Sequence, residues 1–189
     1  MPETNGNHHK NELKTFVVYV EDKPGVLNRV ASLFRRRSFN IASLTVGPTE
    51  KPGVSRMTIV VDANDQTALH IEANLYKLVN VLRVDNVTHE PSVIRDMALI
   101  KVRATDAVRS SIIQMVDVFR GRTVDVTSDS LIVEITGAQD KIEGMLEVLR
   151  PYGIIEMART GIVAMGRGPN APSLNPEFVS AFIPEEPSG

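Results

Sequence analysis

The 189-residue sequence has no cysteine and no tryptophan, and only 5% of its residues are aromatic. The absence of cysteine excludes disulfide bonds, cysteine-ligated zinc, iron–sulfur clusters and thiol nucleophiles, and it suits a reducing cytoplasm, where we expect the protein to act. Neither sign of charge dominates, because 21 Lys and Arg residues stand against 23 Asp and Glu residues. The net charge of −2 therefore provides no drive toward nucleic acid or an anionic membrane.

Long apolar runs are also missing. Nowhere do 18 apolar residues follow one another, so no segment is predicted to cross a membrane as a helix. The polar start, MPETNGNHHKNE, has no apolar core of a signal peptide, and we predict residues 1–13 to be a disordered lead. Residues 168–189 are rich in Pro, Ser and Gly and are predicted to be a flexible tail.

Between these ends the same order of elements occurs twice. In residues 14–91, the runs TFVVYV, IASLTV, SRMTIVV and NVLRVDNV predict strands, with a helix from Val26. The second helix is predicted from the spacing of Ile71, Leu75, Leu78 and Val79. In residues 92–167, the strands are MALIKV, RTVDVT, SLIVEITG and GIIEMART with GIVAM, again with two helices. Two β-α-β-β-α-β units predict an α+β fold of two ferredoxin-like sandwiches in tandem.

Each predicted sandwich carries its helices on one face of an antiparallel sheet. A single layer of helices leaves the other face of the sheet bare. Small domains with an uncovered sheet face or edge tend to associate, so we expect an oligomer.

One turn has the chemistry of a ligand site. In EDKPGVLNRV a strand ends and a helix begins, with Pro24 and Gly25 expected in its first turn. The N–H groups of Gly25, Val26 and Leu27 are then free donors at the positive end of the helix dipole. Asp22 adds a carboxylate in front of them. This pairing suits a free amino acid, whose carboxylate meets the helix and whose ammonium meets Asp22.

Asn40 and Ile41 are candidates to close this site. Asn40 starts the second strand, which we place beside the first, and its amide both donates and accepts hydrogen bonds. Ile41 is available to contact an apolar side chain. The same residues also fit an ordinary turn, in which Asp22 caps the helix and Asn40 ends a loop. The residues by themselves leave both interpretations open.

Longer motifs carry a family resemblance. The stretch EDKPGVLNRVASLFRRRSFNIASLTVGPTE, with SRMTIVV and LYKLVNVLRV after it, resembles the ACT-domain regulatory (small) subunit of acetolactate synthase, also called acetohydroxyacid synthase. MALIKV, FRGRTVDVT, EITG, KIEGML and GIIEMARTGIVAMGRG resemble the C-terminal domain of the same family. The resemblance covers about residues 14–168 and implies an ACT effector-binding domain at 14–91 and a C-terminal small-subunit domain at 92–167.

The resemblance implies a regulatory chain with no catalytic site, metal or cofactor of its own. Family members bind a catalytic subunit that uses thiamine diphosphate, magnesium and FAD to join two pyruvates, or pyruvate and 2-oxobutyrate. They activate it and confer feedback inhibition by valine or another branched-chain amino acid. Their ACT domains form dimers with the effector between the first helix of one chain and the second strand of its partner. Carried over, the effector-binding residues are Asp22, Gly25, Val26, Leu27, Asn40 and Ile41.

The chain departs from the family pattern at three positions. Asn is more frequent at the position of Asp22, Gly at Ser38 and Glu at Ala42. If the backbone at Ser38 is left-handed, the serine costs roughly 1–2 kcal/mol more than glycine. Several arginines are candidates for contacts with the catalytic subunit or in the dimer: Arg29, Arg36, Arg120, Arg122, Arg159 and Arg167.

Two other functions remain as alternatives. A stand-alone amino-acid-sensing ACT protein, acting on another partner, fits the same turn. An RNA-recognition module shares the order of elements, but it needs aromatic side chains on the third strand, and SRMTIVV has none. Intrinsic catalysis is disfavoured, because the sequence has no phosphate-binding loop, serine elbow or paired-carboxylate pattern.

Overall fold

The structure, a computed structural model, describes residues 11–168. Residues 1–10 of the predicted lead and residues 169–189 of the predicted tail lie outside this range. The described residues form two compact units, one made of residues 11–92 with 164–168 and the other of residues 93–163. Each unit is described within the range that the structure covers.

The first unit has the predicted order of elements, and its sheet has the strand order β2-β3-β1-β4. All three strand pairs are antiparallel. The elements are β1 (Glu12–Glu21), α1 (Val26–Arg36), β2 (Ile41–Pro48), β3 (Val54–Ala63), α2 (Asp65–Leu75) and β4 (Val81–Asn86). The strand β1 thus begins inside the predicted lead. The extension of the second helix to Val79 is wrong, because α2 ends at Leu75 and Val79 is 89% exposed.

The second unit repeats this order, with a sheet of strand order β6-β7-β5-β8. The elements are β5 (Ser92–Arg103), α3 (Asp106–Val118), β6 (Arg122–Val126), β7 (Ser130–Gly137), α4 (Gln139–Leu149) and β8 (Ile154–Arg159). The next strand, β9 (Val163–Gly166), begins at the last residue of this unit. The last predicted strand is therefore two strands, separated at Gly161, whose φ is +89°. The two ferredoxin-like α+β units confirm the predicted fold class.

The boundary of the second unit differs from that of the predicted C-terminal domain at its C-terminal end. Residues 164–168 group with the first unit rather than with the second. A terminal nitrogen of Arg56, on β3, donates to the carbonyl of Ala164, and the N–H of Arg167 donates to the carbonyl of Pro91 at 2.8 Å. These bonds hold the end of the described chain against the ACT-like unit.

Strand alternation places the core of each unit between sheet and helices. In the first unit, Phe16 on β1 and Ile59 on β3 pack with Phe34 of α1 and Ile71 of α2. In the second unit the corresponding core residues come from β5, β7, α3 and α4, and are Ile100, Val133, Ile112 and Ile142. Among residues 11–168, no helix is long and apolar enough to cross a bilayer.

The opposite face of the first sheet is not bare, so that expectation is wrong for this unit. Val17, Thr58 and Val60, which alternate with the core residues, are at most 3% exposed. Arg56 lies on the same face, with its guanidinium 5.7 Å from the centre of the Tyr19 ring. In the second unit the corresponding face does expose apolar surface, since Leu99 is 37% exposed.

Helix α2 offers a test of the first core. Ile71→Ala removes a side chain that is 0% exposed and leaves a cavity, so we expect the free energy of unfolding to fall by about 2–5 kcal/mol. The control is Leu69→Ala on the same helix, because Leu69 is 66% exposed and its loss should change stability by less than about 0.5 kcal/mol. Urea unfolding followed by far-UV circular dichroism gives both values. Equal losses in the two variants would contradict the assigned core.

Candidate functional site

The turn between β1 and α1 is shaped by backbone hydrogen bonds. The N–H of Asp22 donates to the carbonyl of Gly53 at 2.8 Å, and the N–H of Lys23 donates to that of Glu21 at 3.0 Å. Helix α1 begins at Val26, so Pro24 and Gly25 precede the helix and do not form its first turn as predicted. Gly25 is the N-cap residue, with φ 85° and ψ −5°. This left-handed conformation favours glycine, although space for a Cβ is open.

Free N–H donors lie at the start of α1. The N–H of Val26 donates to the carbonyl of Lys23 at 3.3 Å, so one of the three predicted donors is already used. Within residues 11–168, the N–H groups of Gly25, Leu27 and Asn28 have no hydrogen-bond partner. They lie at the positive end of the helix dipole, and all three residues are exposed, so they can bind an anion.

Asp22 stands beside these donors and does not cap the helix. Helix α1 has no side-chain hydrogen bond at its N-cap. Asp22 is exposed, and its carboxylate has neither an ion-pair nor a hydrogen-bond partner within the described part of the chain. The alternative interpretation, in which Asp22 caps the helix, is therefore wrong. N–H groups able to bind an anion and an unpaired carboxylate thus lie within a few residues of each other, a combination suited to the zwitterion of an amino acid.

Asn40 and Ile41 lie at the other end of the unit. The prediction that β2 lies beside β1 is wrong, because β2 pairs with β3. Ile41 is opposite Val61, whereas the opposite end of β3, at Val54, is opposite Glu21. Helix α1 also separates Asn40 from Gly25, and its 11 residues span about 16 Å. One chain thus brings Asp22, Gly25, Val26 and Leu27 together but not Asn40 and Ile41.

The predicted site residues differ in what they expose. Val26 is 5% exposed and packs in the core, and Ile41 packs partly against the same core. Leu27 is 45% exposed, and Asn40 is exposed at the loop before β2. In that loop Ser38 has φ 56°, so the left-handed backbone is present and serine there costs roughly 1–2 kcal/mol more than glycine. Leu27 and Asn40 are therefore the predicted side chains that can reach a ligand.

A hydrogen-bond network under the turn was not predicted. Asn80, in the loop before β4, donates its amide N–H to Glu21 and accepts a hydrogen bond from Arg29 at 2.8 Å. Lys23 also donates to Glu21, at 3.1 Å. The hydrogen bond from Asn80, followed by that from Lys23, lowers the pKa of the Glu21 carboxyl. Arg29, a predicted contact residue, is thus tied into its own chain. No local sequence pattern indicates these contacts, because Asn80 is 51 positions from Arg29 and 59 positions from Glu21.

A second unpredicted cluster surrounds Lys14, whose side chain is 2% exposed. Its ammonium donates to Glu12 and Asp65, and His89 lies 3.1 Å from Glu12. These hydrogen bonds lower the pKa of Glu12 and raise the pKa of Lys14. Glu12, Asp65 and His89 lie close enough together to hold a metal ion, but the ammonium of Lys14 already supplies the positive charge that the two carboxylates bind.

The predicted contact arginines of the second unit fall into two groups. Arg159 donates through Nε to Asp96 at 2.8 Å and through Nη1 to Glu143 at 2.6 Å. Burial opposes the charge of Arg159, but these hydrogen bonds outweigh it and raise the pKa of its guanidinium. Arg122 pairs with Glu134 at the surface. Arg120, which has a left-handed φ of 52°, is exposed and has no ion-pair partner in the described range.

The other two predicted contact arginines, Arg36 and Arg167, are also exposed. Arg36 donates through Nε to the carbonyl of Ser32 at 3.3 Å, which leaves its terminal nitrogens available. The three predicted arginines that stay open to a partner are thus Arg36, Arg120 and Arg167.

Each unit matches a known family. Residues 16–83 match the model of the AHAS small subunit-like ACT domain, and residues 95–168 match that of the small subunit of acetolactate synthase. The acetolactate synthase small subunit of Mycolicibacterium smegmatis is 52% identical over 155 residues, which cover 82% of this chain and 91% of the relative. The chain belongs to the acetolactate synthase small-subunit family.

Other small subunits agree with this assignment. The probable acetolactate synthase small subunit of Archaeoglobus fulgidus is 51% identical over 154 residues, covering 82% of this chain and 96% of the relative. The crystal structure of the small subunit from Thermotoga maritima superposes with a TM-score of 0.78 at 46% identity, covering 83% of this chain and 98% of that one. The family resemblance of the motifs is confirmed.

The ion pair of Arg159 predicts a stability difference within this small-subunit chain. Asp96→Asn removes the negative charge of a side chain that is 3% exposed, so Arg159 loses its buried ion-pair partner. We expect the free energy of unfolding to fall by about 1–3 kcal/mol. The control is Arg122→Gln, which breaks an exposed ion pair and should change stability little. Thermal unfolding measures both, and an equal effect would contradict the buried role of Asp96.

The network under the turn predicts a pH dependence. Because the folded pKa of Glu21 is lowered from its ordinary 4.5, its contribution to stability is full above that value and is lost as pH falls through the folded pKa. Asn80→Ala removes the largest cause of the shift. The stability gap between wild type and variant should be widest at neutral pH and narrow below about pH 4.5.

Urea unfolding across a pH series tests this expectation. Asn40→Ala is the control, because Asn40 is exposed and has no hydrogen bond to a titrating group within residues 11–168, so the stability gap of this variant should not depend on pH. A gap for Asn80→Ala that stays constant on acidification would show that Asn80 does not act through Glu21.

Proposed function

We propose that this chain is the regulatory subunit of an acetolactate synthase, which activates the catalytic subunit and confers feedback inhibition by valine. The observation that carries the proposal is the turn before α1, where free N–H groups lie beside the free carboxylate of Asp22. This amino-acid-binding chemistry occurs in a chain of the small-subunit family, whose relatives are named for acetolactate synthase. The branched-chain amino acids are products of the pathway that acetolactate begins, so one of them is the natural signal.

The turn recognises both ends of the effector. The valine carboxylate accepts hydrogen bonds from the N–H groups of Gly25, Leu27 and Asn28, which add to the attraction of the helix dipole. The ammonium group pairs with Asp22. Leu27, with 45% of its surface exposed, offers apolar contact to a branched side chain. Each part of the ligand thus meets a group of matching chemistry.

The site is completed by a second copy of the chain. Asn40 and Ile41 lie at the end of the sheet away from the turn, so they reach an effector only when they come from a partner. Strand β2 is an edge of the four-stranded sheet, and an edge strand has hydrogen-bonding groups that can pair with another chain. We therefore propose a homodimer through the ACT domains, with the effector held between the two chains.

An effector in this position links the two chains directly. Because it contacts the turn of one chain and the second strand of the other, it stabilises the arrangement of the dimer in which both are close. We propose that a dimer in this arrangement holds the catalytic subunit in a less active form, and that this is how valine inhibits the enzyme. Such a shift in population needs only that valine binds one arrangement more tightly than the other.

The chemistry of the reaction belongs to the catalytic partner. In the proposed complex the large subunit carries thiamine diphosphate, magnesium and FAD and joins two pyruvates, and the present chain contributes none of these groups. Arg36, Arg120 and Arg167 stay available as contact residues, since each is exposed. The complex is expected to act in the cytoplasm.

The direct test is acetolactate formation by the catalytic subunit of the same organism. The assay compares the catalytic subunit alone, with this chain, and with this chain plus valine. Activation by the chain and its reversal by valine are the expected results. Activation without a valine effect would reject valine as the effector. No change in either condition would reject the regulatory role and favour a stand-alone amino-acid-sensing ACT protein.

Gly25→Asp tests the carboxylate position. The substitution places a negative charge where the effector carboxylate binds, so we expect valine inhibition to be lost while activation remains. Gly25→Ala is the control, because it has the same unfavourable left-handed φ without the charge and should keep valine sensitivity. Dose–response curves for valine give the result. Full sensitivity in the aspartate variant would reject the site.

A mixture of two variants tests whether the site spans two chains. Asn40→Ala should weaken valine binding by about two- to tenfold, the effect of one hydrogen bond. A mixed dimer of Gly25→Asp and Asn40→Ala chains has one site with both defects and one intact site. Valine sensitivity should therefore return in part on mixing. A site made by one chain alone would show no recovery, because every chain in the mixture is defective.

A further inference from the structure

The first unit has a pocket of about 290 Å³ near the C-terminal ends of its two helices. The lining residues are Leu33, Arg36, Arg37, Asn74, Lys77 and Leu78. Arg36 ends α1, so the pocket is separated from the turn at Gly25 by the length of that helix, about 16 Å. It is therefore separate from the turn of the proposed effector site, and Asn40, which the proposal assigns to the partner's half of that site, does not line it.

The lining is strongly cationic and lacks compensating charge. Within residues 11–168, Arg36, Arg37 and Lys77 have no carboxylate within ion-pair distance. By contrast, Lys14 and Lys23 in the same unit each have at least one carboxylate partner. Three cations without a carboxylate partner thus surround one concavity, and their mutual repulsion falls when an anion binds.

Two of the three cations, Arg36 and Lys77, are held by side-chain hydrogen bonds. The Nε of Arg36 donates to the carbonyl of Ser32, which leaves its two terminal nitrogens for another acceptor. The ammonium of Lys77 donates to the side-chain oxygen of Asn74 at 3.3 Å and keeps further N–H groups available. Asn74 is 7% exposed and is itself held by a hydrogen bond to the carbonyl of His70 at 2.6 Å. A buried amide thus holds the ammonium in place.

A helix dipole explains only part of this arrangement. Cations near helix C-termini interact favourably with the carbonyl end of the dipole, which accounts for Arg36 and Arg37 at the end of α1. It does not require that these cations and Lys77, beyond α2, converge on the same pocket. Nor does it explain why Leu33 and Leu78 line it with them. The combination of cations and apolar surface is that of a binding site for an organic anion.

We propose that this pocket binds the phosphate group of a small phosphorylated metabolite. A phosphate ester carries about −1.5 to −2 charges and three acceptor oxygens, which matches three cationic donors better than the single charge of a carboxylate. The planar fork of an arginine fits phosphate oxygens in pairs. Leu33 and Leu78 provide apolar contact for the carbon skeleton. The volume is close to the lower limit for small-molecule sites.

The test titrates the full-length chain with inorganic phosphate and with propyl phosphate, using isothermal titration calorimetry at low ionic strength. We expect propyl phosphate to bind more tightly than inorganic phosphate, because the propyl group contacts the leucines. The double variant Arg36→Gln, Arg37→Gln and the single variant Lys77→Gln should each weaken binding by about tenfold or more. Arg35→Gln is the matched control, because it removes one charge from the same helix outside the pocket, and should weaken binding less than about twofold.

Three outcomes would overturn the proposal. These are undiminished phosphate binding by the double variant, a loss as large in Arg35→Gln as in the pocket variants, and no phosphate binding by the wild type at millimolar concentration. If a poly-glutamate peptide binds the wild type and neither phosphate does, the pocket belongs to an acidic protein segment instead. Circular dichroism establishes that each variant is folded. Because valine sensitivity is measured separately, failure here leaves the proposed regulatory function untouched.

Discussion

The pairing of β1 with β3 is the constraint on which the first unit depends. These central strands pair antiparallel over ten positions, from Glu12 opposite Ala63 to Glu21 opposite Val54. Their shared register buries Phe16 and Ile59 on the helix side and ends beside Gly53, whose carbonyl then accepts the N–H of Asp22. A shift by one residue would turn the core side chains to the other face and displace the turn. Core packing and site geometry thus have one common cause.

Helix α1 has positive potential at both ends, but from different groups. At its start, left-handed Gly25 leaves backbone N–H groups uncovered, and the helix dipole adds positive potential without any cationic side chain. At its end the cations are side chains, Arg36 and Arg37, which converge with Lys77 on a pocket. The first arrangement suits an amino-acid carboxylate beside Asp22, whereas the second suits a more highly charged anion. The two proposed anion sites thus lie at opposite ends of one helix.

The arginines show that charge alone does not identify a contact residue. Arg159 is committed to Asp96, and Arg29 to Asn80, so both stabilise their own unit. Arg120 stays exposed without an ion-pair partner in the described chain. A side chain already bound in its own unit must lose those hydrogen bonds before it binds a partner, and this loss costs free energy. Whether an arginine is available to bind a partner therefore depends on contacts with residues that are distant in the sequence.

The sequence by itself determined the two β-α-β-β-α-β units, the family and the turn at Gly25, because periodicity, turn chemistry and motifs are local properties of the chain. Only the tertiary structure decided that β2 pairs with β3, which places Asn40 at the far end of the sheet, away from the turn at Gly25. It also decided the bridge from Asn80 to Glu21. Strand order and side-chain partners depend on contacts between distant segments, and residue periodicity carries no information about which segments meet.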